Sequence, residues 1–361
     1  MELFFYIIIA LLALSALVFF HELGHYSAAK FFGVKVERFS IGFGKPFFKK
    51  YWLNTEWAFA PILLGGYVQM KGQDDTNPLN KNDDPDSFTS KKPWQRIIIL
   101  LAGPLANIVL AFFIYLSIAF SGAPVSTAGS YVAPIIGKVK ANSPAFSAGL
   151  QSEDKILKVN YTDIKYWYEL SEAIQKSKEP IELNIKRDNK LLTLTLEPNI
   201  ENQRNEFNET IKRKIIGISP KVKKGDIINF NIQDSFKYAY KETIKATMLI
   251  TKGLQKVTTG EVDSKNISGA ITIFDILITF AKEGFLYLLF IMALISVNLG
   301  VLNLLPIPAL DGGHIMFNLY EIVTKKAPSE DVLYKLTLLG WVLLIGLMMF
   351  GLYNDINRLW R

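Results

Sequence analysis

The chain has 361 residues, a net charge of +7, no cysteine and three histidines. A mean hydropathy of +0.21 in a chain that is 20% charged means that apolar and charged residues are segregated along it. Without cysteine there are no disulfides or thiolate ligands, so a bound metal must rest on His, Asp or Glu. The lysines are scattered and lack the aromatic-basic pattern of a nucleic-acid surface, which excludes nucleic acid as an expected partner.

An apolar run from Leu3 to Phe20 reaches about 27 Å as a helix, close to the ~30 Å hydrocarbon core of a bilayer. It has neither a basic n-region nor a small-residue cleavage site, which argues for a membrane span over a signal peptide. His21-Glu22-Leu23-Gly24-His25 follows at once. Histidines four apart share one helix face, so His21 and His25 can address one ion with Glu22 beside them.

The connection to the second apolar stretch, Ile97 to Phe120, is crowded with basic residues from Lys30 to Arg96. The positive-inside rule therefore puts this connection in the cytoplasm and the N-terminus outside. Within it, Gly65-Gly66-Tyr67-Val68-Gln69-Met70 alternates like a strand entered through glycines. An edge at Gly66, Tyr67, Val68, Gln69 and Met70 could pair with an unwound substrate; a membrane-dipping hairpin is the plainer reading. Asn77 to Ser90 reads as a solvated, flexible stretch.

Short alternating runs such as those starting at Ile181 and Leu191 predict a β-rich insert between the second and third spans. Ser143 to Leu150, followed by Asp154 to Asn160, resembles the helix start and next strand of a PDZ domain, read as one domain over 125–222. Such folds capture extended peptides or a terminal carboxylate, although a spacer that only blocks access fits as well. Residues 223–283 read as a linker with an amphipathic segment between Ser264 and Phe280.

Two further apolar stretches run from Phe285 to Leu305 and from Val332 to Leu352. Four spans also place the C-terminus outside. The third ends in Asn303-Leu-Leu-Pro306-Ile-Pro308-Ala-Leu310-Asp311-Gly312-Gly313-His314, where prolines and glycines break the helix. An ionisable group on irregular backbone at membrane depth is a functional candidate, so Asp311 is the expected third metal ligand. The first and third spans both run inward, which brings Asp311 and the histidines to one membrane face. His314 is a competing imidazole donor.

The predicted fold class is a membrane α-helical protein. It has four transmembrane helices, a membrane-associated β-hairpin or loop and an inserted β-rich PDZ domain. The divisions fall at 1–120 for the first two spans and their loop, 125–222 for the PDZ domain, 223–283 for the linker, and 284–361 for the last two spans.

His21 to His25, Ala102-Gly103-Pro104-Leu105-Ala106-Asn107 and the Asn303 to Gly312 cluster, in that order, resemble the site-2 protease family of intramembrane zinc metalloproteases. The likeness is to its bacterial regulator-of-sigma-E type, with four spans and a PDZ insert, and it covers nearly the whole chain. It implies one zinc ion on His21, His25 and Asp311, Glu22 as catalytic base, Asn303 steadying substrate or oxyanion, and the Gly66 to Met70 strand binding substrate. It further implies single-pass membrane substrates already trimmed by another protease, and a bacterial inner membrane with termini and PDZ domain outside and the active site near the cytoplasmic side. Gly42-Phe43-Gly44-Lys45 departs from the family's Gly-x-Gly-Pro, and Ser268-Gly269-Ala270 from its Ser-Gly-Pro. A PDZ scaffold without activity and a metal transporter are the competing classes; the intact His-Glu-His-Asp set argues against the first and the apolar fourth span against the second.

Overall fold

The computed structural model describes residues 2–73, 83–205, 207, 209–223, 225–261 and 268–360. The chain divides into two compact units, Met1–Ile118 with Asp234–Arg361, and Ala119–Gln233.

Helix α1 (Glu2–Phe31) carries the apolar run and the His21 to His25 motif without interruption. Gly33, at φ +68°, ends it in the left-handed conformation that lets Val34 N–H return to the Ala29 carbonyl at 2.8 Å. Four strands follow: β1 (Val36–Phe43), β2 (Phe48–Trp52), β3 (Thr55–Phe59) and β4 (Ile62–Met70). They form one sheet in the order β2-β3-β1-β4, with β1 parallel to β3 and the other pairs antiparallel. The expected hairpin or loop is thus a mixed four-stranded sheet, and the strand read at Gly66 to Met70 is the second half of β4. Helix α2 (Pro93–Ser121) comes next, and Tyr26, Val36, Phe39, Met70, Ile99 and Leu100 pack α1, the sheet and α2 together. Strand β2 exposes every residue, Phe48, Tyr51 and Trp52 among them, a surface suited to lipid and its interface. Residues 77–82 of the stretch expected to be flexible lie outside the described residues.

The second unit holds β5 (Ala123–Pro124), α3 (Val125–Ala128), β6 (Ile136–Val139), α4 (Pro144–Ser147), β7 (Lys155–Val159), β8 (Thr162–Asp163) and α5 (Trp167–Lys176). It continues with β9 (Ile181–Arg187), β10 (Lys190–Leu196), β11 (Asn199–Arg204), β12 (Thr210–Ile215), β13 (Ile218–Pro220) and β14 (Ile227–Ile228). The alternating runs at Ile181 and Leu191 are the antiparallel pair β9 and β10, in a sheet ordered β10-β9-β7-β8. Ser143 caps α4 by accepting from Phe146 N–H at 3.2 Å. Ile136, Ile156, Leu170, Leu183 and Ile185 form the core.

Asp154, fully buried, accepts from Arg187 Nε and Nη2, both at 2.7 Å, and from Gln151 N–H at 2.8 Å. Hydrogen bonding to Asp154 raises the Arg187 guanidinium above its ordinary value, against a smaller opposing effect of burial. Asp154→Ala removes charge-assisted bonds and should cost the insert about 2–3 kcal/mol. The check is chemical denaturation of the full-length protein followed by a probe in the insert; an unmoved midpoint would contradict this account.

Helices α6 (Ile232–Thr258), α7 (Ala270–Glu283), α8 (Phe285–Asn303), α9 (Asp311–Thr324) and α10 (Glu330–Leu359) complete the chain. The segment read as a linker therefore contains two helices, although residues 264–267 of its amphipathic stretch lie outside the described residues. Asp355 of α10, 2% exposed, accepts from the N–H groups of Gly269 and Thr272 at the start of α7. Among the described residues α1, α2, α8 and α10 are long and apolar enough to cross a membrane.

Candidate metal centre

One helical turn separates His21 from His25 on α1, and both are buried. The turn after α8 brings Asp311 to them. There the chain runs through Pro306 and Pro308 and reverses into α9, whose first residue is Asp311. That reversal needs Gly312 and Gly313. A Cβ on Gly312 would lie 2.3 Å from the Leu305 carbonyl oxygen, and one on Gly313 2.3 Å from that of Ile307.

Asp311 Oδ2 stands 3.3 Å from His21 Nε2 and 3.4 Å from His25 Nε2, and the two imidazole nitrogens are 3.3 Å apart. Zinc bonds of about 2.0–2.2 Å in tetrahedral geometry place neighbouring donors roughly 3.3–3.6 Å apart, so the triangle fits that ion. Asp311 Oδ2 is also buried, with no well-aligned hydrogen bond and the two imidazole nitrogens as its ion-pair neighbours. A buried carboxylate oxygen so placed calls for positive charge beside it, which a metal ion shared with the two imidazoles would supply. Among the described residues this is the one grouping of His, Asp and Glu that could hold a metal.

Glu22 follows His21, is half-buried, and its charge acts on His25. Asn303 is the last residue of α8, half-buried and eight positions before Asp311. His314 lies one turn into α9 with its ring against Phe317, outside the donor triangle.

Strand β4 lies along α1. Ser15 Oγ donates to the Leu63 carbonyl at 3.0 Å, and a Cβ on Gly66 would meet Val18 at 3.5 Å and the Ser40 carbonyl at 2.6 Å. Gly66 thus lets β4 sit close to β1 about one turn before the histidines. Tyr67, Val68, Gln69 and Met70 follow toward Lys71. Beyond β1, the second edge of β4 bears no strand among the described residues.

Four residues with no metal-ligand signal of their own, Gly24, Gly103, Pro104 and Asn107, also shape the centre. A Cβ on Gly24 would meet the Ala102 carbonyl oxygen at 2.2 Å, and one on Gly103 would meet His25 Nε2 at the same distance, so α1 and α2 touch through small residues. Pro104 lies inside α2 and has no N–H to donate to the turn before it. His25 Nδ1 donates to the Ile99 carbonyl at 2.9 Å, leaving Nε2 toward Asp311. Asn107, fully buried, lies beside His21 Nδ1. Glycine and proline inside an apolar span are the visible trace of this arrangement.

Residues 9–347 match the model of peptidase family M50. A Campylobacter jejuni protein named as a zinc metalloprotease is 43% identical over 348 residues, covering 96% of this chain and 92% of its own. A Helicobacter pylori protein of the same designation is 38% identical, with 98% and 99% covered. The regulator of sigma E protease of Haemophilus influenzae is 30% identical, with 97% and 98% covered. The chain belongs to peptidase family M50, the site-2 protease family, and is a zinc metalloendopeptidase.

Proposed function

We propose that the chain hydrolyses peptide bonds inside the membrane-spanning segments of single-pass proteins, using one zinc ion held by His21, His25 and Asp311. The triangle of donor atoms 3.3–3.4 Å apart, at the end of an apolar helix and beside Glu22, carries this reading. Zinc bound there supplies a Lewis acid that brings the pKa of a water toward ~7 and polarises the scissile carbonyl. Glu22 takes the proton of the attacking water and passes it to the leaving amine. Asn303 steadies the substrate carbonyl as its oxygen gains charge.

A transmembrane helix hides its peptide bonds in intrachain hydrogen bonds, so it must unwind before it is cut. The outer edge of β4 from Gly66 to Met70 replaces the bonds lost and holds the unwound stretch extended. The insert acts as a PDZ domain, taking an extended peptide or C-terminus between Trp167, Leu170 and Ile174 of α5 and the Ile216-Gly217-Ile218 segment. It also excludes bulky outer portions, so another protease cuts first. The basic connection after α1 supports a bacterial inner-membrane orientation with termini and insert outside and the centre near the cytoplasmic side. The name of the Haemophilus relative favours substrates of the anti-sigma-factor kind, with signal-peptide remnants a second class.

The test is a trimmed single-pass protein in liposomes with the purified chain. Mass spectrometry should find a cut within the membrane segment that stops on chelation and returns with zinc. Cuts confined to the flanks, or cleavage indifferent to chelation, would overturn the reading.

A further inference from the structure

A histidine that ligates through Nε2 must carry its proton on Nδ1, and that N–H needs an acceptor. His25 has one in the Ile99 carbonyl. For His21 the neighbour of Nδ1 is the Asn107 side chain, with Nδ2 at 3.3 Å, while Asn107 Oδ1 is buried with no hydrogen-bond partner. Taken literally, a donor faces Nδ1, the proton moves to Nε2, and an N–H points at His25 and Asp311. The amide's two ends have the same shape, and turning it by half a revolution gives Oδ1 the Nδ1–H as its donor and gives Nδ1 an acceptor, with Nδ2 moved to the place Oδ1 held.

Asn107 is itself held in place. It is fully buried, its carbonyl accepts from Ser296 Oγ of α8 at 2.8 Å, and a Cβ on Gly300 of α8 would lie 3.5 Å from its own Cβ. The helix that leads to Asp311 thus braces the residue beside His21.

We propose that Asn107 is a positioning residue for the metal: its Oδ1 accepts the His21 Nδ1–H and leaves the Nε2 lone pair for zinc. This rests on the zinc reading above. The experiment is chelator competition for zinc on purified full-length protein. Asn107→Leu fills the space without an acceptor and should weaken zinc by about 10–100-fold. Asn107→Asp offers an acceptor oxygen in either orientation and should hold zinc close to the wild-type affinity. Wild-type affinity in Asn107→Leu, or equal weakening in both variants, overturns the proposal while leaving the three-ligand site standing. A wild-type protein that binds no zinc overturns the site and this proposal together.

Discussion

Glu22→Gln should retain zinc and lose cleavage of a membrane-embedded substrate by at least ~100-fold, since a positioned proton-transfer group contributes about 10²–10⁴-fold. The substitution keeps the shape of the side chain and removes its capacity to take a proton. The donor triangle does not include Glu22, so metal content should stay at the wild-type level. Its helical position is fixed by α1, and its neighbours His21 and His25 are buried on either side. Metal analysis and a liposome cleavage assay on the same preparation separate the two effects. Loss of zinc would make Glu22 part of the metal site, and cleavage at the wild-type rate would remove it from the chemistry altogether.

The parts of the centre that could be read from sequence are those written in local spacing. Histidines four apart on a continuous apolar helix can lie only on one face, and Asp311 follows a helix break that two prolines announce. Strand β4 was visible because its second half alternates. Its partners were not: β2 reads Phe-Lys-Lys-Tyr-Trp, and a strand exposed along its whole length has no apolar-polar period to detect. The parallel pairing of β1 with β3 depends on contacts distant in sequence, which no local pattern carries. The same reason hides the closing of the insert by β5 and β14, two-residue strands more than 100 positions apart. Helix α6 has no clean apolar stripe to read, because its buried face mixes Asp234, Ser235, Glu242 and Thr243 with Tyr238, Ala239 and Ala246, while Phe236 and Tyr240 are exposed. That departs from the pattern expected of a helix packed in water.

Gly103→Ala should cost the protein its zinc, at least ~100-fold in affinity, beyond the usual range for residues outside the ligand set because the added atom strikes a ligand itself. Its Cβ would lie 2.2 Å from His25 Nε2, 2.5 Å from Cε1 and 2.7 Å from Cδ2, so the ring and the methyl cannot share the space. The ring cannot simply swing away, because its Nδ1 is tied to the Ile99 carbonyl on the same helix that brings the methyl. If α2 retreats instead, it carries that anchor with it and also opens the contact between Ala102 and Gly24. Either movement expands a triangle whose edges are 3.3–3.4 Å, and overpacking adds a stability cost of about 1–3 kcal/mol. Gly346→Ala on α10 is the matched control, since nothing lies within 4 Å of its added methyl. Zinc titration of the two variants should therefore diverge. Equal, wild-type affinity in both would mean that α2 does not press against His25, and that the close approach of the helices plays no part in shaping the metal site.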